Sequence, residues 1–145
     1  MPYVPFHKYC PQVAERETRT VIVLKDAETD LPPAEYSFLE LFCDEPGCDC
    51  RRVFFSVISS RTRDLEAVIT YGWESTTFYR KWLGHSDPHD VIELKGPSLN
   101  LGSPQSVIAP ALLELFRNVL LPDRAFIDRV KSHYRLFREA VEKNK

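Results

Sequence analysis

Long hydrophobic runs are missing from this 145-residue chain: no apolar stretch approaches the ~18 residues that a bilayer-spanning helix requires. The first residues, Met1-Pro2-Tyr3-Val4-Pro5-Phe6-His7-Lys8, also lack the charged n-region and apolar h-region of a secretory leader. The expectation from these two absences is a cytoplasmic protein. An excess of charge of one sign is missing too. With a formal net charge of −2, no global attraction to nucleic acid or to an anionic membrane is expected, since such binding is driven by clustered Lys and Arg.

The sequence contains no H-E-x-x-H, G-x-S-x-G, Walker or G-x-G-x-x-G element, so it offers no ready-made hydrolase triad or nucleotide cradle. Gly96-Pro97-Ser98 and Gly102-Ser103 read as turns, because no Gly-Lys-Ser/Thr follows them. Repeats, low-complexity tracts and linkers are absent as well. A single domain over residues 1–145 follows, long enough to bury one core without disulfides.

What is present is aromatic and concentrated. Nine Phe, six Tyr and two Trp, with 43% apolar and 28% charged residues, predict a folded chain with an aromatic-rich core. The chain has four cysteines, three of them within the eight residues from Cys43 to Cys50. In a reducing compartment such clustering points to metal ligands or redox groups before a disulfide framework.

The first half reads as strands. Residues 1–19 carry Pro2, Pro5 and Pro11 and form an arm in which Val4 and Phe6 can dock onto the body. Thr20 to Lys25 is a short β-branched run that ends in a polar loop and Pro32-Pro33. Glu35 to Cys43 alternates, sending Tyr36, Phe38, Glu40 and Phe42 to one side and Ser37, Leu39, Leu41 and Cys43 to the other. Neither side is wholly polar, which predicts a central strand covered on both faces. Arg51 to Ser59 and Leu65 to Tyr71 form two more strands, joined by a link short enough for a hairpin. An antiparallel sheet of about four strands over residues 20–71 results.

Residues 75–145 change period. Ser75 or Thr76 can cap a short helix that carries Phe78, Tyr79, Trp82 and Leu83 and is closed by Gly84. Residues 85–103 read as a long connection with a small strand at Val91 to Leu94. Ser103-Pro104 is a helix start, with Pro110 forcing a kink there or a restart at Ala109. The stripe Leu112, Leu115, Phe116 and Val119 is helical at core spacing until Pro122 breaks it. A last helix from Asp123 to Glu142 aligns Phe126, Val130, His133 and Phe137, with Ile127, Tyr134 and Val141 alongside. Strands followed by helices predict an α+β fold with helices packed on the sheet.

The chemistry lies in Cys43-x4-Cys48-x-Cys50. Glu45-Pro46-Gly47-Cys48 fits a type II turn, proline fixing φ at its second position and glycine supplying positive φ at its third. The turn brings Cys48 back towards Cys43, and extended backbone makes Cys48 and Cys50 project the same way. Soft thiolates select zinc or an iron–sulfur cluster over calcium or magnesium. Arg51 and Arg52 stand ready to offset the net negative charge of a three-thiolate zinc. The competing readings are a disulfide or redox pair and plain buried cysteines.

A closed zinc site needs a fourth ligand. His133 is preferred because an unpartnered imidazole on an apolar helix face is an awkward core residue. Its ordinary fate would be a core-edge histidine bonded to a backbone carbonyl. Cys10 is soft and available, or simply a small buried hydrophobe. His85 and His89 are bracketed by Gly84 and Pro88 and fit a solvated loop better, and a water completes the alternatives.

The run Glu35-Tyr36-x-Phe38-x-Glu40-x-x-Cys43-x4-Cys48-Asp49-Cys50-Arg51-Arg52-Val53, with Gly96-Pro97-Ser98-Leu99, Gln105-Ser106 and His133-Tyr134-x-x-Phe137, resembles a family of small bacterial hypothetical proteins with a C-x4-C-x-C knuckle. That resemblance implies bacterial origin and treats the knuckle and the His-Tyr element as one set. It brings no activity with it.

The expected function is therefore a small zinc-binding module, non-catalytic, with one structural ion held by Cys43, Cys48, Cys50 and His133, open to an unknown protein partner. Two alternatives stand beside it. One is a zinc hydrolase with an open position and Asp44, Glu45 or Asp49 as base. The other is a weak nucleic-acid binder using Arg124, Arg129, Lys131, Arg135 and Arg138, although Asp128 and Glu139 are interleaved with these and suggest a solvated face. Glu40, inside a strand, is expected to pair with an arginine or to face a cleft.

Overall fold

The computed structural model describes residues 3–84 and 87–143. It is an α+β protein, with an antiparallel sheet and helices laid against it. Three strands carry the frame, β3 (Ala34–Cys43), β4 (Arg52–Ser59) and β5 (Leu65–Gly72), paired in that order. β1 (Tyr3–Pro5) and β2 (Arg19–Val23) both add to the free edge of β3, β1 against Leu41 to Cys43 and β2 against Ala34 to Phe38. A two-residue β6 (Ser98–Leu99) borders β5.

The N-terminal arm is thus more structured than its prolines suggest. Between β1 and β2 it makes two short helices, α1 (Phe6–Tyr9) and α2 (Pro11–Glu17), which bridge the gap beside Leu39 and Glu40. Pro11 sits in the first turn of α2, where a missing N–H costs nothing.

Strand parity decides which residues meet the helices. In β3 the side chains of Tyr36, Phe38, Glu40 and Phe42 are buried, while Ser37, Leu39 and Leu41 are half-exposed. Cross-strand pairing carries this inward face through Val53, Phe55 and Val57 to Ala67, Ile69 and Tyr71. The opposite face is covered only in part.

The inward face is roofed by α5 (Ala109–Leu115), a π-helical turn (Phe116–Leu120) and α6 (Arg124–Lys143). Phe116 is the hub, with ring centroids 5.3 Å from Phe55, 5.7 Å from Tyr71 and 6.5 Å from Phe38. Phe137 of α6 lies 5.5 Å from Phe42. Offset and tilted aromatic pairs of this kind add ~0.5–1.5 kcal/mol each beyond their area.

Three expectations change in the second half. α3 (Thr76–Leu83) is capped by Ser75 and Gly84 as foreseen, but the predicted strand at Val91 to Leu94 is helical, inside α4 (Pro88–Lys95). Local capping outweighs the β-branched run: Asp87 accepts from the His89 N–H, Pro88 enters the first turn and Gly96 ends the helix. Ser103-Pro104 does not start a helix. Gln105 is used instead to seal the edge of β5, its amide bonded to both the N–H and the C=O of Val68, and the helix begins at Ala109. Finally, the wider π turn, closed by Leu121 N–H to Phe116 C=O at 2.8 Å, brings Leu120 into the core and leaves Val119 exposed.

Candidate metal centre

Cys43 ends β3 and Cys50 stands two residues before β4, so the knuckle is the loop that joins two neighbouring strands. Its turn forms as the sequence predicts. The Cys48 N–H bonds the Glu45 C=O at 3.1 Å, and Gly47 has φ +75°. The three Sγ atoms converge to within 4.8 Å of one another, close enough to hold a metal ion. In a tetrahedral zinc site with bonds of ~2.3 Å, sulfurs stand about 3.8 Å apart, so a small contraction of the loop suffices. Cys43 and Cys50 are buried and Cys48 is half-exposed. All four cysteines are free thiols. Burial pushes the Cys50 thiol up, and it raises Cys48 with the help of neighbouring Cys43. Loading the site with metal therefore displaces protons from these sulfurs.

The surroundings of the thiols are built from both halves of the chain. Tyr3 of β1 pairs with Cys43 in register, stacks on Phe54 at 4.0 Å and brings its hydroxyl 3.4 Å from Cys50 Sγ. Arg52 donates to the Tyr3 hydroxyl at 3.3 Å and to the Leu94 C=O at 2.8 Å. From α6, Arg138 donates to the C=O of Cys43 and, at 2.9 Å, to that of Glu45. Glu142 receives both Arg138 and the N–H of Gly47. Tyr134 accepts the Arg51 N–H at 3.2 Å. Arg138, Glu142 and Tyr134 thereby grip the knuckle through its backbone.

Arg51 takes no direct part at the sulfurs. It adopts φ +51°, held by Tyr134 at its N–H and by the Tyr79 hydroxyl, which donates to its C=O at 2.7 Å. Its guanidinium binds both oxygens of Asp49 and reaches Glu74 at 2.9 Å. The expected charge balance for a thiolate-bound ion thus rests on Arg52 and Arg138. Asp49, a candidate base, is occupied by Arg51.

The preferred fourth ligand is elsewhere. His133 is 1% exposed, with Nδ1 2.8 Å from Glu40 Oε1 and Nε2 2.8 Å from Glu17 Oε1, so both ring nitrogens are taken by carboxylates. Parity explains the separation. Glu40 and Phe42 face the helices, whereas Cys43, Tyr3 and Phe54 belong to the other face of the sheet. The pairing of Glu40 is with a histidine and not with an arginine, and no cleft opens there. Cys10 caps the junction of α1 and α2 and packs on the core outside the thiol group. His89 is exposed in the first turn of α4, and His85 lies outside the described residues. Among the described residues the candidate group is Cys43, Cys48 and Cys50 alone.

Sequence reasoning missed the Glu40–His133–Glu17 chain. Two signals for it were visible: a glutamate on the inward face of a central strand and a histidine on the inward face of the last helix. Each demands a partner, and each could have been assigned to the other.

Compared with family models, curated proteins and solved structures, the chain matches none. Among the described residues no helix is long and apolar enough to cross a membrane.

Proposed function

We propose that this protein is a zinc-binding structural module in which Cys43, Cys48 and Cys50 hold one ion. Its role is non-catalytic, with the knuckle serving as a rigid corner of the sheet. The observation that carries the reading is the convergence of three Sγ atoms to within 4.8 Å on a loop shaped by Pro46 and Gly47. Three soft donors select zinc over hard cations. Arg52 and Arg138, reaching the knuckle through Tyr3 and through the carbonyls of Cys43 and Glu45, favour the net negative charge of a zinc–trithiolate.

The fourth position falls to a donor outside this set: a water molecule, His85 or a side chain of a partner protein. A hydrolase reading gains little from that open position. Three thiolates already donate strongly to the ion, and Asp49 is held in a bidentate pair with Arg51. The nucleic-acid reading is weakened as well, because Arg138 is committed to the knuckle and Arg129 leans on Glu17.

Metal analysis of the purified protein tests the reading. One zinc per chain, lost in Cys48→Ser, supports it. Zinc-free protein that takes up none on addition would sink it.

A further inference from the structure

The Glu40–His133–Glu17 chain joins three elements that no backbone pairing connects: β3, α6 and α2. Glu40 is inside the sheet with its side chain 4% exposed, and His133 is 1% exposed, whereas Glu17 lies at the surface, 37% exposed. The cavity beside them, between Phe6, Ala14, Thr18, Leu39, Glu40 and His133, is about 10 Å³. That is at the lower limit for one water molecule, so the group is not a ligand pocket.

Geometry fixes the proton count. A carboxyl group on each ring nitrogen at 2.8 Å requires a hydrogen in each contact, and because burial raises Glu40 the hydrogen of the Nδ1 contact can sit on either partner. The group therefore holds one proton more than a neutral imidazole between two carboxylates. When that proton leaves, one contact becomes a lone pair against a carboxylate. Glu40 is fixed in β3 and keeps the hydrogen of the Nδ1 contact, so Glu17 is the partner that must leave, and water is within its reach. The charged groups around it are Arg129 of α6, 3.9 Å from Glu17, and Arg16 on α2 itself, with the titratable, exposed His7 of α1 beside the cavity. Phe6 of α1 stacks on the imidazole at 4.5 Å and supplies no charge.

We propose that this chain is a proton-operated latch on the N-terminal segment, with protonated His133 tying α2 to α6 through Glu17 and loss of the proton loosening α2. The segment it holds is the one that carries Tyr3 to Cys50 and covers the gap in the edge of β3. The direction of the pH response follows. Burial alone would lower the His133 pKa, but hydrogen bonds and charge from Glu40 and Glu17 outweigh it and raise it. A raised histidine contributes its tie fully below its ordinary value and loses it as pH climbs through the raised one. On the acid side, the hydrogen bond to His133 lowers Glu17, so that contact is lost only as pH falls through the lowered value.

The test is hydrogen exchange of the intact protein at about pH 6 and about pH 9, corrected for intrinsic rates, with the His133 ring followed by NMR. In wild type, protection of the α2 amides is expected to fall about tenfold along the His133 titration, with the sheet unchanged. In Glu17→Gln the amide serves as acceptor to a protonated ring and donor to a neutral one, so the pH dependence should vanish. In Glu17→Ala, α2 should be poorly protected at both pH values. Protection of α2 that ignores pH in wild type, or a pH response that survives in both variants, would overturn the proposal.

Discussion

Nδ1 of His133 lies 2.8 Å from Oε1 of Glu40, a histidine and a carboxylate that are both buried and 93 residues apart in the chain. Each makes the other's burial tolerable, since an unpaired charge in the core is far more costly than a paired one. His133→Ala is therefore expected to destabilise the protein by about 3–5 kcal/mol, leaving Glu40 without its partner. Denaturant unfolding measures the loss. The same variant should still bind zinc in proportion to its folded fraction, because the thiols do not use the imidazole.

Removing the proposed metal should have a separate effect of similar size. The aromatic core around Phe116 is independent of the knuckle, so the metal-free protein should stay folded. At a zinc concentration a thousandfold above Kd, binding is worth about 4 kcal/mol. For a chain of this size that corresponds to a Tm about 8–16 °C higher than after chelation. Thermal melts with and without a chelator read this directly.

Arg138 is expected to govern affinity without being a ligand. It donates to the carbonyls of Cys43 and Glu45 and is braced by Glu142. Arg138→Ala should weaken zinc binding by about 10–100-fold, as loss of outer-shell support does elsewhere. Competition against a chromogenic chelator gives the ratio, with Arg135→Ala as a surface control.

Two glycines with positive φ should respond differently to alanine. At Gly96, φ +67°, a Cβ would stand 2.4 Å from the Thr70 C=O, a backbone atom of β5 that cannot step aside. At Gly84, φ +86°, the helix cap has open space around it. Gly84→Ala should cost about 1 kcal/mol from backbone strain, and Gly96→Ala clearly more, read as the difference in unfolding midpoints.

Local rules made much of this molecule legible. Alternation in β3 announced which residues face the helices, and Pro46-Gly47 announced the turn that gathers the thiols. The caps of α3 were written in Ser75 and Gly84. What was not legible was of two kinds, local signals that compete with one another and a pairing far apart in the chain. Val91 to Leu94 has the β-branched residues of a strand, but the cap at Asp87 and Pro88 in the first turn make it a helix. The N-terminal helices were hidden behind three prolines. Three cysteines without a fourth donor point to His133, but the alternation of β3 places Cys43 on the face opposite Glu40, which the imidazole binds instead. Parity, applied to the histidine's helix as well as to the strand, separates the two sites.

The most direct measurement is zinc content together with a count of zinc-protected thiols, on wild type and on the Cys43, Cys48 and Cys50 serine variants. The expected result is one zinc per chain, three thiols shielded until chelator is added, Cys10 reacting at the same rate with and without chelator, and metal lost with any one of the three. A folded protein that binds no zinc, or one whose zinc survives Cys48→Ser, would contradict the account.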